Sequence, residues 1–170
     1  MDFACEADGE PPGGRRDLGE RLEQVFNPIV QQMRICERPI VVAVNGAAAG
    51  VGCAIACAGD LILAAESAYF LQAFRNIGLV PDGGSTYLLS RAIGRVRAME
   101  MMLLAERLPA AKALDWGLIN HVVPDAELAA ATRKFALEVS ERGALALASI
   151  KAAFNARHGG VSGLSRMAHD

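Results

Sequence analysis

The sequence predicts an α/β fold in which short buried strands, wound with short helices, pass into a helical C-terminal region. Three observations carry that expectation. The chain has 170 residues, 52% hydrophobic and 21% charged, enough to bury one core and too few for two full domains. Two apolar runs, Ile40-Val41-Val42-Ala43-Val44 and Leu61-Ile62-Leu63-Ala64-Ala65, stand only a short helix apart, as in a parallel crossover. From Ser85 onward, apolar residues recur mainly at helical spacing.

Taken in order, residues 9–16 (Gly-Glu-Pro-Pro-Gly-Gly-Arg-Arg) read as a loop, because neither Pro nor Gly propagates a helix or a ladder. Leu18, Leu22, Val25, Ile29 and Met33 then recur at helical spacing. Asn27-Pro28 reads as an N-cap followed by Pro at the first helical position, so two short consecutive helices are expected before Pro39. The run 40–44 is expected to form a strand buried on both faces. A glycine-rich turn and a helix to Ala58 follow, then a strand over 61–65 and a candidate third over 68–71. Pro81-Asp82-Gly83-Gly84 punctuates the chain, and Ser85 to Ala105 is helical with an interruption at Gly94. Ala110 to Trp116 is a short helix stopped by Gly117, and Ile119 to Val123 a strand stopped by Pro124. Leu128, Thr132, Phe135 and Val139 stripe one helix, and Leu147, Ile150 and Phe154 the last; from Gly159 to Asp170 little periodicity remains.

Charge and composition exclude several classes of function. The 17 basic and 19 acidic residues are mixed along the chain, for a net charge of −2, and no cationic block is present to neutralise phosphates, so nucleic acid is not expected as a partner. The longest weakly charged stretch, Ile40 to Gly59, is broken by Asn45 and several glycines, which argues against a membrane span. Asp2, Glu6, Asp8 and Glu10 occupy the place of the basic and apolar regions of a signal peptide, so a cytoplasmic location is expected. Cys5, Cys36, Cys53 and Cys57 form no CxxC pair and have no histidine at ligand spacing, a pattern of free thiols with no metal.

The segment richest in chemistry is the strand-to-helix passage from Val42 to Cys53. Its spacing Gly46-x-x-x-Gly50-x-Gly52 is similar to the nucleotide loop of short-chain dehydrogenases, where helix N-terminal amides hold a pyrophosphate. Against that reading, the following helix is too short to lead to an acidic residue at the next strand's end, and Arg91 stands where a lysine would follow Tyr87. From Phe3 to about Arg157 the chain resembles the crotonase, or enoyl-CoA hydratase/isomerase, superfamily. The resemblance rests on Arg38-Pro39-Ile40-Val41-Val42-Ala43-Val44-Asn45-Gly46, on Gly78-Leu79-Val80-Pro81-Asp82-Gly83-Gly84, and on the segment from Ala110 to Pro124. It implies a crotonase-type spiral core over residues 1–125 and an incomplete helical region over 126–170, truncated at both ends relative to the family.

The resemblance further implies an acyl-CoA thioester whose carbonyl oxygen accepts two backbone N–H bonds that stabilise an enolate. One donor falls on Val51. The other falls on Ala7, within Phe3-Ala4-Cys5-Glu6-Ala7-Asp8, where Glu6 stands in place of the family's glycine. Cys5, Asp8, Gly50, Ala54, Phe74 and Leu79 fall at substrate-binding positions. The two catalytic glutamates of the hydratases correspond here to Ala54 and Phe74, so paired-acid addition of water is disfavoured. Asp82 falls where enoyl-CoA isomerases, and the oxepin-forming isomerases of phenylacetate breakdown, carry a single acid/base. Its other role would be to cap the helix after Pro81. Asp60 is expected to cap or turn the chain into the next strand, Cys53 and Cys57 to be core, and His121, His158 and His169 to stay outside the mechanism. No cofactor is implied beyond coenzyme A as part of the substrate, and the partners implied are that thioester and a homo-oligomer, trimer or hexamer. The expected activity is double-bond isomerisation; the alternative is a family paralogue that binds acyl-CoA or a sister subunit without turnover.

Overall fold

A computed structural model describes residues 22–157. The expected loop at 9–16, the positions Cys5, Ala7, Asp8 and Leu18, and the tail with His158 and His169 lie outside the described residues.

The strands form two three-stranded sheets. In the first, β1 (Val41–Val44), β3 (Leu61–Ala65) and β6 (His121–Val123) run parallel in the order β1-β3-β6, with Val42 opposite Ile62 and Ala64 opposite Val122. In the second, β2 (Ala47–Ala49) is parallel to β4 (Tyr69–Leu71), which is antiparallel to the short β5 (Leu108–Pro109). The chain therefore repeats one motion. A strand in the first sheet bends into a strand in the second, and a helix returns it to the start of the next turn: β1, β2 and α2 (Val51–Cys57), then β3, β4 and a 3-10 turn (Ala73–Ile77). This is the expected spiral of short strands. Its successive turns pack closely because the residues between them are small: Ala48, Ala54, Ala64, Ala65, Ala68 and Ala110 are all buried.

The sequence-based expectations are corrected at several places. Strand β1 begins the first sheet's order and is not buried on both faces, since Ala43 is exposed. The helix α1 (Asn27–Ile35) is entered through a π-helical turn (Leu22–Phe26), so its N-cap is Phe26, with no side-chain bond, and Asn27 already lies inside it. The face of α1 that is buried carries Val30; Val25 and Ile29 remain exposed.

Helix α3 (Ser85–Leu104) is broken at Gly94, whose φ of 79° and ψ of 159° are not helical. Met101 and Leu89 anchor its two segments in the core with Phe70 and Leu63. Helices α4 (Ala110–Asp115), α5 (Leu128–Ser140) and α6 (Ala144–Arg157) complete the chain. The expected stripe of α6 is not a core face. Ile150 and Phe154 are exposed and, with Leu147, line an open groove against Pro39 and Leu61.

Polar contacts fasten α6. The buried Lys151 ammonium donates to the carbonyls of Met33 (3.0 Å) and Arg38 (3.1 Å) and to Asp60 Oδ2 (2.7 Å), which also accepts the Ile40 N–H at 2.8 Å. Asn155 donates to the Arg34 carbonyl (2.8 Å) and accepts a bond from the Arg34 guanidinium. Among the described residues, no helix is long and apolar enough to cross a membrane.

Candidate active site

The site is built around the turn into α2. Gly50 has φ 54° and ψ −123°, a backbone state that side chains with a Cβ avoid. Its N–H donates to the Leu71 carbonyl at 2.8 Å, tying the turn to the end of β4, and its own carbonyl accepts the N–H groups of Cys53 (3.0 Å) and Ala54 (3.2 Å), which starts the helix at Val51. As the first helical residue, Val51 has no intrahelical carbonyl for its N–H to bond, which leaves that N–H as a donor at the helix's positive end. Phe74, buried in the turn after β4, covers this corner: a Cβ on Gly50 would stand 3.6 Å from the ring's Cζ.

Asp82 arrives from the other side, on the loop between the 3-10 turn and α3. Gly83 and Gly84 both have positive φ (59° and 76°), which turns the chain sharply after Asp82. The close approach is at Gly83, where a Cβ would lie 3.1 Å from Ala54 Cβ and 3.5 Å from Val51 Cγ2. The loop thus rests on the first turns of α2. Its far end is gripped by Ser85, whose N–H (2.9 Å) and hydroxyl (2.7 Å) both donate to the Asp82 main-chain carbonyl.

The Asp82 side chain does not cap α3. The N-cap is Gly84, without a side-chain bond, while Asp82 Oδ1 is buried and has no hydrogen-bond partner. Burial, opposed only in part by a bond from its own backbone N–H, pushes the carboxyl up to about 6. A carboxylate with this pKa is ionised at neutral pH, weakly solvated and able to take and return a proton.

Of the expected site residues, Gly50, Val51, Ala54, Phe74 and Asp82 are brought together. Leu79 sits on the rim, its N–H bonded to the Phe74 carbonyl at 3.0 Å and its side chain 40% exposed beside the exposed Ile77 and Val80. Cys5, Ala7 and Asp8 lie outside the described residues. Ala54 is fully buried and Phe74 nearly so, and neither position holds an acid. Cys53 is buried core, as expected; a hydrogen bond from Cys57 lowers its thiol pKa against the opposing effect of burial. His121 is in edge contact with Phe135, with ring centroids 5.1 Å apart, and is remote in sequence and element from the Asp82 loop. Among the described residues, no group of three His, Cys, Asp or Glu could hold a metal ion.

Two features escaped the sequence reading. The approach of Gly83 to Ala54 is one, since a glycine's place in a motif says nothing of what it touches. Gln72 is the other: it is fully buried, with its amide set against the Cys53 thiol of α2 and helping to lower that thiol's pKa. A lone glutamine at the end of an apolar strand was the available signal.

A spiral of strands with a glycine turn, a helix N-terminus and one half-buried acid defines a class, and residues 13–164 match the enoyl-CoA hydratase/isomerase family. The chain belongs to that family. It is 42% identical over 146 residues to the 1,2-epoxyphenylacetyl-CoA isomerase of Escherichia coli, a match covering 86% of this chain and 56% of that protein. Among solved structures it is similar to an enoyl-CoA hydratase from Mycobacterium avium subsp. paratuberculosis, with TM-score 0.76 and 47% identity over 78% of this chain and 54% of that one. It is also similar to a monofunctional enoyl-CoA isomerase from M. smegmatis, with TM-score 0.74 and 34% identity over 80% and 64% of the two chains. The chain spans about half the length of the curated relatives it matches.

Proposed function

We propose that this chain carries the proton-transfer site of an enoyl-CoA isomerase. The single observation behind the proposal is the Asp82 carboxylate, half-buried and with its Oδ1 unpartnered, on the loop that rests on the first turns of α2, at a site where positions 54 and 74 hold no acid. Asp82 takes a proton from the carbon next to the thioester carbonyl and becomes a carboxylic acid. The electron pair moves onto the carbonyl oxygen, giving an enolate conjugated with the neighbouring double bond. Returning the same proton to the far end of that system shifts the double bond, with no water consumed. The oxyanion is held by the Val51 N–H, with the Ala7 N–H as second donor. Backbone donors suit the task because they are fixed before charge develops. The 1,2-epoxyphenylacetyl-CoA isomerase relative supports the same reading.

No cofactor is proposed beyond the coenzyme A of the substrate. The proposed compartment is the cytoplasm, in keeping with the free thiols of Cys36, Cys53 and Cys57. The proposed assembly is a homo-oligomer, trimer or hexamer, with the exposed Leu145, Ile150 and Phe154 of α6 as contact face; a monomer in sedimentation equilibrium would count against it. Because the chain spans about half of its relatives, a second reading is binding of acyl-CoA or a sister subunit without turnover. The test is to supply one enoyl-CoA and follow both products. Double-bond migration with negligible hydration supports isomerase action, robust hydration overturns it, and quenching of the chain's one tryptophan, Trp116, by acyl-CoA without turnover favours the second reading.

A further inference from the structure

We propose that Ala54 is a positioning residue: its methyl group is the seat of the Asp82 loop at Gly83, so the size of side chain 54 decides where that loop, and the Asp82 carboxylate it carries, stands. The inference rests on the reading in which Asp82 moves the proton.

Three observations carry it. Gly83 approaches so closely that an added Cβ would stand 3.1 Å from Ala54 Cβ, tighter than most real Cβ contacts. Ala54 is 0% exposed, so a longer side chain has no route to solvent and must push on what covers it. And the loop cannot yield by sliding along α3, because Ser85, itself fully buried, holds the Asp82 carbonyl through both its N–H and its hydroxyl. Any displacement of Gly83 is passed to its chain neighbour, Asp82.

Among the described residues, burial and not a neighbouring charge sets the state of that carboxylate. The titratable groups of α2 are the thiols of Cys53 and Cys57. On α3, Arg91 stacks on the Tyr87 ring at 3.9 Å, and on the preceding turn Arg75 bonds the Leu104 carbonyl at 3.2 Å. Burial is what raises the pKa of Asp82. One consequence follows for the family's chemistry in this chain: a carboxylate at position 54 and Asp82 in its present pose exclude each other sterically. Ala54→Glu would therefore lose isomerisation without leaving it beside a gained hydration.

The test uses the full chain, with 13C-labelled aspartate and Asp82→Asn to assign the Asp82 carboxyl signal. In Ala54→Leu the Asp82 titration midpoint is expected to fall from about 6 toward the ordinary range near 4. kcat is expected to drop by ~10²-fold, the scale of a misplacement of about 1 Å, with KM within about threefold. An unchanged midpoint with unchanged kcat overturns the proposal. Should Ala54→Leu fail to fold, Gly83→Ala, Ala54→Gly and their combination decide: Gly83→Ala lowers kcat, and adding Ala54→Gly, which removes the opposing methyl, restores about tenfold of it. Effects of the two changes that simply multiply would refute the seat. Retention of turnover by Asp82→Asn would instead sink the proton-transfer reading, while the titration and its response to Ala54→Leu still judge the seat.

Discussion

If the proton is carried by Asp82, the reaction requires its ionised form, and turnover must fall as the pH drops through the carboxyl's pKa. With that pKa at about 6, roughly nine-tenths of the enzyme is competent at pH 7 and roughly one-tenth at pH 5. An ordinary aspartate near 4 would leave about nine-tenths competent at pH 5, so the ratio of kcat/KM at the two pH values separates the cases nearly tenfold. The assay is the ultraviolet absorbance of the conjugated enoyl thioester, recorded from pH 4.5 to 8 as the double bond moves into or out of conjugation. Asp82→Asn should lower the plateau by ~10²–10⁴-fold, the usual worth of a general base, and abolish the acid limb. Acyl-CoA affinity, read from Trp116 fluorescence, should stay close to wild type. Since Gly84 and not Asp82 caps α3, a loss of activity cannot be assigned to a weakened helix. A profile flat between pH 7 and pH 5, or an Asp82→Asn enzyme keeping more than about a tenth of its turnover, would refute the reasoning.

The same carboxyl binds its proton more tightly in the folded than in the unfolded chain, so the folded state loses stability as pH rises from about 4 to about 6. Asp82→Asn should therefore raise the urea midpoint at pH 7.5 and leave it unchanged below about pH 4. Lys151→Met removes an ammonium shared by two carbonyls and Asp60, leaving a partly buried carboxylate behind, and should cost ~3 kcal/mol or more by urea unfolding; adding Asp60→Asn should recover part of the loss. Gly59→Ala would bring a Cβ to 2.5 Å from Val42 Cγ2 and should cost ~1–3 kcal/mol, relieved when Val42 is also made Ala.

Strands β1 and β3 were legible because each is an apolar run bounded by turn residues, and α3 because its break falls on a glycine. Strand β2 was not. Ala47-Ala48-Ala49 has no strand preference of its own and is extended only because it pairs with Tyr69–Leu71, a contact made across the spiral. Asn27 misled for a related reason: a good N-cap residue is overruled when a π-helical turn feeds directly into the helix. At the site, Gly50, Val51 and Asp82 stood out because glycine spacing and an acid between Pro and Gly are local signals. The contact between Gly83 and Ala54 joins residues 29 positions apart, both among the smallest side chains, and no local pattern announces it.

Helix α6 is joined to the rest of the chain mainly through donors inserted among carbonyls, at contacts spanning 113 to 121 residues of sequence, while Leu145, Ile150 and Phe154 bury little. Such an attachment behaves as a latch rather than as part of the wall. Polar partners that water can replace are lost at lower cost than buried apolar surface once the helix lifts as a whole and Asp60 is solvated with it, so α6 is expected to open as one cooperative unit while the two sheets stay paired. Amides of α6 should then exchange with solvent together and ahead of those of β3, and the turn carrying Gly50 and Val51, held by Leu71 and Phe74, should outlast the release.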